Sequence, residues 1–409
     1  MKKQNPTIEI IVIGDELLSG KTLDSNSHFI TKEITRLGLH TNTVSIIGDN
    51  KEQIIKLIKE KTEKVDVLII TGGLGPTPDD ITRFAVSKAI RERLVQFPAL
   101  VRKIRKKLKN VPKQIARISE IEALLPETSV PLENTVGIAP GFRVSKNRCV
   151  LFCIPGVPAE AHAMFYNNIK PYLKKSFKKK NSMHYIIKTV GLREAEIYVM
   201  IKPYLHSAIT IGMYPRGREV EIRLQTELKY RTIIQHRYKK INTLLKEYVY
   251  SNSDELLEET IGNLLRRKKL YLACAESCTG GLIAKRITDI PGSSRFFLGA
   301  TVTYSNRLKE KLLNVKRHSI VQQGAVSASI VRQMVKGLVK CTGADIGISI
   351  TGIAGPGGGT QKKRVGLVYI GVSYKGKIQA KRFQFKGNRE KVRWLASQAA
   401  FETIWRIVR

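Results

Sequence analysis

Acidic residues are scarce in this 409-residue sequence: 34 Asp and Glu stand against 71 Lys and Arg, a formal net charge of +37. An excess of this size points to anionic partners, either nucleotides or nucleic acid, or to a uniformly lysine-decorated surface. Long apolar runs are missing too. No segment reaches the ~18 uninterrupted apolar residues of a membrane helix, so no membrane partner is expected. The basic start at Met1–Pro6 runs into a short strand-like segment with no small-residue cleavage site, which argues against a signal peptide and for a cytoplasmic protein. Cysteine is sparse. Cys149, Cys153, Cys274, Cys278 and Cys341 are odd in number, and their close pairs have CxxxC spacing, which is neither a zinc nor a thioredoxin pattern. Buried, reduced thiols are the expectation. The dense basic runs Arg102–Lys109 and Lys174–Lys180 lack interleaved aromatics, so nucleic acid is a secondary expectation.

What is present is a globular alternation of apolar and polar segments in a chain too long for one core. Residues 1–171 alternate strand and helix signals: strands at Ile8–Ile13, Thr43–Ile47 and Val65–Ile70, an amphipathic stretch from Asp24 to Gly38, and a helix capped by Asn50. The hairpin-like pair Gly141–Val144 and Cys149–Ile154 follows, and Pro158 then sits in the first turn of a further helix. Residues 172–250 read as a small α+β insert, with strands around Tyr185–Val190 and Val220–Gln225. Residues 251–409 return to the α/β style, with strands at Lys269–Ala273, Phe297–Tyr304, Asp345–Thr351 and Val365–Ser373, and a closing helix at Asn388–Ile407. The expected fold class is therefore α/β: two α/β domains with mainly parallel sheets joined by the insert.

Open α/β sheets bind ligands at the carboxyl ends of their strands. In the first domain three loops concentrate Gly, Pro and acids there: Gly14–Gly20 (GDELLSG), Thr71–Asp80 (TGGLGPTPDD) and Pro155–Glu160 (PGVPAE). Gly72, Gly73 and Gly75 let backbone N–H groups approach a phosphate closely. Asp15, Asp79 and Asp80 are hard oxygen ligands suited to a divalent ion bridging a diphosphate. Asp79 is alternatively a helix N-cap, and Glu16 a first-turn charge.

In the last domain Ala275–Gly281 (AESCTGG) follows a strand and opens a helix. A serine on such a turn, Ser277, suits a nucleophile whose oxyanion is held by the N–H groups of Thr279, Gly280 and Gly281, or equally a phosphate site. This is not the GxSxG elbow, so no histidine triad follows, and His318 lies in a polar loop without a motif. Lys309, in the first turn of the helix after Tyr304, is the candidate base, because a partly buried lysine near a helix N-terminus has its cation disfavoured. Alternatively Lys309 is a surface lysine. The glycine-rich run at Thr351–Gly359, with Gly352, Gly355, Gly357 and Gly358, reads as a phosphate or ligand loop. It lacks the closing Gly-Lys-Ser/Thr of a P-loop, so ATP-driven chemistry is not indicated.

On these motifs the sequence resembles the CinA family across nearly its whole length. GDELLSG, TGGLGPTPDD, Asn134–Phe142 (NTVGIAPGF) and PGVPAE resemble its molybdopterin-binding-like N-terminal domain. AESCTGG, Pro291–Ser294 (PGSS), Val302–Asn306 (VTYSN), Gly324–Ser327 (GAVS) and TGIAGPGGG resemble its C-terminal amidohydrolase domain. Ala161 stands where members usually carry methionine. The resemblance implies nicotinamide-nucleotide amidase activity without a cofactor. It implies Ser277 as nucleophile, Lys309 as base, Tyr304 as auxiliary proton donor, Ser294 lining the site and Arg389 as a phosphate partner. For the first domain it implies a metal-dependent ADP-ribose pyrophosphatase. The insert is similar to the family's KH-like segment, although Gly212–Arg218 is not the GxxG loop that KH domains use on nucleic acid. Small-molecule nucleotides are the expected partners, with a homodimer as the assembly.

Overall fold

The computed structural model describes residues 6–178 and 182–409, so the last residues of the basic run at 174–180 lie outside the described residues. The chain forms two compact units, Met1–Asn181 and Ser182–Arg409. Both are α/β. No helix among the described residues is long and apolar enough to cross a membrane.

The first unit is built on a six-stranded sheet ordered Thr41–Ile47, Ile8–Ile13, Val67–Thr71, Cys149–Ile154, Gly141–Lys146, Val130–Leu132. The first four strands are parallel, and the last two turn back antiparallel. The central strands read as unbroken apolar runs because both faces are covered. Side chains alternate across the sheet: Ile8, Ile10 and Val12 meet Ile30 and Ile34 of helix Asn26–Arg36. Ile11 and Ile13 meet Ile54 and Ile58 of helix Lys51–Lys64 on the other face. The Asn50 side chain caps that second helix, accepting the Gln53 N–H at 3.0 Å. Cys149 and Cys153 are free and buried in the same core cluster as Leu151.

The second unit carries two sheets. Residues 182–251 form an antiparallel sheet ordered Thr210–Arg216, Glu219–Glu227, Ser182–Val190, Val249–Ser251. Helices Glu194–Ile201 and Arg231–Leu244 share its core through Ile197, Ile201, Ile234 and Ile241. The first of those strands escapes the sequence reading because Pro215 looks like a turn. It is tolerated because the strand is an edge. The larger sheet is ordered Phe297–Val302, Leu272–Glu276, Ile346–Gly352, Leu367–Tyr374, Lys377–Gln384, the first three parallel and the rest antiparallel. Helix Ala328–Thr342, capped by Ser327, packs Ile330, Met334 and Leu338 on one face. Helices Leu257–Lys268 and Arg389–Val408 cover the other face. The last strand was not expected: seven of its eight residues are polar or alanine, as suits an edge facing water. Lys269 is not in a strand. It closes the preceding helix in the left-handed region, φ 53°.

A buried ion pair ties this unit together. Arg286 donates to Glu258 from Nε at 3.1 Å and Nη2 at 3.0 Å, and to Ser397 Oγ at 2.7 Å. Its guanidinium lies over the Trp394 and Phe401 rings.

Candidate active site

Ser277 stands at the carboxyl end of strand Leu272–Glu276, and Lys309 lies in the first turn of helix Asn306–Leu313. Ser305 caps that helix by accepting the Leu308 N–H at 3.2 Å, which fixes the first turn so that Lys309 points inward. The result is a direct contact: Lys309 Nζ is 3.0 Å from Ser277 Oγ. Lys309 is 1% exposed. Its remaining hydrogen bonds go to the carbonyls of Thr303 at 2.7 Å and Tyr304 at 3.1 Å. Burial brings it down from 10.5 to about 8, against a pull upward from the Cys278 thiol. Two carbonyl acceptors use both N–H bonds of a neutral amine, and its lone pair then faces the serine hydroxyl. The geometry is that of a Ser–Lys pair.

The turn after Ser277 is held differently from the expectation. Gly280 and Gly281 have φ of 58° and 91°, which delays the helix to Leu282. Gly280 N–H donates to the Ser277 carbonyl at 3.1 Å. Gly281 N–H donates to Glu276 Oε2 at 2.9 Å, and the same carboxylate accepts from Ile283 at 3.3 Å and Ala284 at 2.9 Å. These two glycine donors are therefore committed to the turn itself. Only the N–H groups of Cys278 and Thr279 have no acceptor among the described residues. Arg393 clamps the turn from outside, donating to the Thr279 carbonyl from Nε at 3.2 Å and Nη2 at 2.7 Å. Glu276 and Arg393 were given no role from sequence. Glu276 was legible as a carboxylate directly before a glycine-rich helix start, whereas Arg393, 114 residues away, was not.

Arg389, the first residue of the closing helix, bridges two other parts of the site. Nη1 donates to the Gly355 carbonyl and Nη2 to the Tyr304 hydroxyl oxygen, both at 2.9 Å. Tyr304 is 59% exposed, so its ring borders solvent. Because Arg389 donates to the phenol oxygen, the phenol keeps its own O–H for another acceptor. Gly355 and Gly358 have positive φ, and Gly357 is open to solvent. Gly352 has a packing role: a Cβ there would lie 2.7 Å from Val368 Cγ2 and 3.0 Å from Cys278 Sγ. Ser294 is exposed in the turn Ser293–Arg295, and no described hydrogen bond joins it to Ser277, Lys309 or Tyr304. It is thus outside the bonded constellation.

In the first unit the three expected loops converge on a cleft of about 500 Å³. Gly72, Gly73 and Gly75 line it, as do Asp79 and Asp80. Asp15 does not. It is tied back to Asp49, each carboxylate accepting the other's backbone N–H at 3.0–3.1 Å, so that Glu16 and Asp49 face the cleft instead. Neither Asp79 nor Asp80 caps the following helix, which starts at Thr82 without a side-chain cap. Asp80 Oδ2 accepts the Thr77 N–H at 3.0 Å. The glycine turn is fixed from behind: Thr82 Oγ1 donates to the Gly72 carbonyl at 2.8 Å, and Arg83 donates to the carbonyls of Leu74 and Gly75. Glu122, unmarked by any motif, is 3% exposed yet lines the cleft, and its Oε2 has no partner. Burial raises it to about 7, with Arg83 opposing. Asp49 is raised by burial and by the charges of Asp15, Glu16 and Asp79. Among the described residues no three His, Cys, Asp or Glu side chains converge to hold a metal ion, so Asp15, Asp79 and Asp80 do not form the expected ligand set.

Comparison with known proteins agrees with this two-part layout. The profile described as the CinA C-terminal domain matches residues 254–408, and that described as a probable molybdopterin binding domain matches residues 9–175. A competence-damage inducible protein of Halothermothrix orenii is 37% identical over 410 residues, covering 98% of each chain. One from Caldicellulosiruptor saccharolyticus is also 37% identical, covering 97% of this chain and 98% of its own. A crystal structure of the competence/damage inducible protein CihA from Agrobacterium tumefaciens is 32% identical and covers 37% of this chain and 96% of its own, with a TM-score of 0.35. With two domain profiles in order and full-length relatives above one-third identity, the chain belongs to the CinA family of competence-damage inducible proteins.

Proposed function

We propose that the second unit is an amidase acting on the carboxamide of a nicotinamide nucleotide. The observation that carries this reading is the 3.0 Å contact between Ser277 Oγ and a buried Lys309 whose amine is poised to be neutral. Ser277 Oγ attacks the amide carbonyl carbon and passes its proton to Lys309. The N–H groups of Cys278 and Thr279 hold the oxyanion of the tetrahedral adduct. Lys309 returns the proton to the nitrogen, ammonia leaves, and a nicotinoyl ester of Ser277 remains. Water then attacks that ester with Lys309 again accepting the proton, which releases the carboxylate. Tyr304, its oxygen held by Arg389, keeps its O–H free to assist proton transfer, and Arg389 brings positive charge suited to the nucleotide phosphate. Ser277→Ala should lower ammonia release from nicotinamide mononucleotide at least ~10³-fold while circular dichroism stays unchanged. Near-normal release would place the nucleophile elsewhere.

The first unit's cleft suits a nucleoside diphosphate such as ADP-ribose, whose pyrophosphate would meet the turn at Gly72–Gly75. Release of AMP and ribose 5-phosphate from ADP-ribose is the measurement that tests this second activity.

A further inference from the structure

The first unit's cleft has an unusual wall for a protein of charge +37. Six acidic side chains line it, Glu16, Asp49, Asp79, Asp80, Glu122 and Glu160, and no Lys, Arg or His does. The nearest guanidinium, that of Arg83, is 1% exposed and spends both terminal nitrogens on the carbonyls of Leu74 and Gly75. An anion entering this cleft meets backbone donors of the glycine turn but no cationic side chain. A cation entering it meets carboxylates that do not converge. Asp80 is turned to Thr77, Glu160 accepts from Asn134 at 2.6 Å, and no three acids come together. Glu122 is the exception among them: its buried Oε2 faces the cleft with no partner, which leaves a vacant acceptor for a positively charged ligand atom. Each half of the site therefore lacks what the other ligand would bring. Divalent magnesium and manganese keep several waters and are commonly held by one or two carboxylates together with substrate phosphates.

Resting on the nucleotide reading of this cleft, we infer that it binds a nucleoside diphosphate only together with a divalent cation, the two ligands being strongly and reciprocally coupled. The phosphate oxygens complete the cation's coordination, and the cation screens the phosphates from the acidic wall. By linkage, the factor by which the cation raises nucleotide affinity equals the factor by which the nucleotide raises cation affinity. A preformed metal site would show no such dependence.

The test is calorimetric titration of the full-length chain, with Mn²⁺ and α,β-methylene-ADP, whose diphosphate cannot be hydrolysed. The expected result is saturable binding of the analogue in excess Mn²⁺, with affinity lower by on the order of a hundredfold or more when either ligand is offered alone. Glu122→Gln, an isosteric change at an unpartnered carboxyl, locates the effect and should weaken the coupled binding by on the order of fivefold without loss of folding. Mn²⁺ binding equally well without the analogue, or the analogue binding equally well in EDTA, overturns the coupling while leaving the nucleotide reading intact. Coupled binding unchanged by Glu122→Gln places it outside this cleft and overturns the assignment. Absence of binding even with both ligands together overturns the nucleotide reading itself, and the inference with it.

Discussion

The pH dependence of the amidase follows from one lysine. Lys309 lies near 8 because burial disfavours its cation. A base acts only when deprotonated, so the active fraction is about one tenth at pH 7 and about nine tenths at pH 9. Between these values kcat/KM should climb about tenfold and then level off. An unburied lysine near 10.5 would give an almost hundredfold climb over the same range and no plateau below pH 10. The profile therefore separates a buried catalytic lysine from a solvated one by slope and by plateau. Lys309→Arg tests the same point from the other side. A guanidinium keeps its proton throughout, and the ascending limb should vanish with at least ~10³ of the rate, while KM changes little. The assay is ammonia release from nicotinamide mononucleotide between pH 6 and 10 in buffers of constant ionic strength. A flat profile, a limb still rising at pH 10, or an arginine variant with substantial turnover would refute the base role.

Two further substitutions probe what holds the site in place. Glu276→Gln leaves one acceptor oxygen where the carboxylate now serves three N–H groups, and turns an amide N–H₂ toward donors. It should cost about 1–3 kcal/mol in thermal unfolding and lower kcat more than it raises KM, and an unchanged kcat would show that the turn is held by other means. Glu258→Gln strips Arg286 of its bidentate partner, leaving Glu219 at 4.0 Å as the next carboxylate. The expected loss is roughly 3 kcal/mol, and a melting temperature within a degree of the parent would mean the guanidinium is held by its aromatic contacts alone.

The sequence exposed those parts of the structure that a local pattern can carry. Apolar runs between glycine turns marked Ile8–Ile13 and Ile346–Gly352, and caps at Asn50, Ser327 and Asn388 fall where the side chains accept their N–H groups. Ser277 and Lys309, 32 residues apart, were both legible because each follows a strand and lies at a helix start. What stayed hidden depends on contacts distant in sequence. Arg393 reaches Thr279 across the unit, and Glu122 belongs to a short 3₁₀ turn with no motif, so only folding reveals it on the cleft wall. Carboxylate spacing also misled. Asp15 looked available for metal, but the neighbouring loop supplies Asp49, and the two carboxylates close on each other's backbone. The oxyanion donors were over-counted for a related reason: a buried Glu276 draws Gly281 N–H away from the substrate side.

Burial displaces the two unusual ionisable groups in opposite directions, Lys309 down from 10.5 to about 8 and Glu122 up from 4.5 to about 7. Each displacement corresponds to roughly 3 kcal/mol of lost stability in the unit that carries it. For Lys309 the unfolded chain binds more protons than the native one between about pH 8 and 10.5, so stability rises with pH across that window and the penalty is complete below it. For Glu122 the native chain binds more protons between 4.5 and about 7, so stability falls with rising pH there and the penalty is complete above it. Near pH 7.5 each unit thus bears most of its penalty. The two differ in what relieves it. Lys309 already has Ser277 and two carbonyls, so its cost remains in the resting protein and is recovered only as catalysis. Glu122 has a vacant oxygen, so a cation arriving with its nucleotide removes the cost on binding. Ligand should therefore stabilise the first unit beyond simple mass action, because it satisfies a group that folding left unsatisfied.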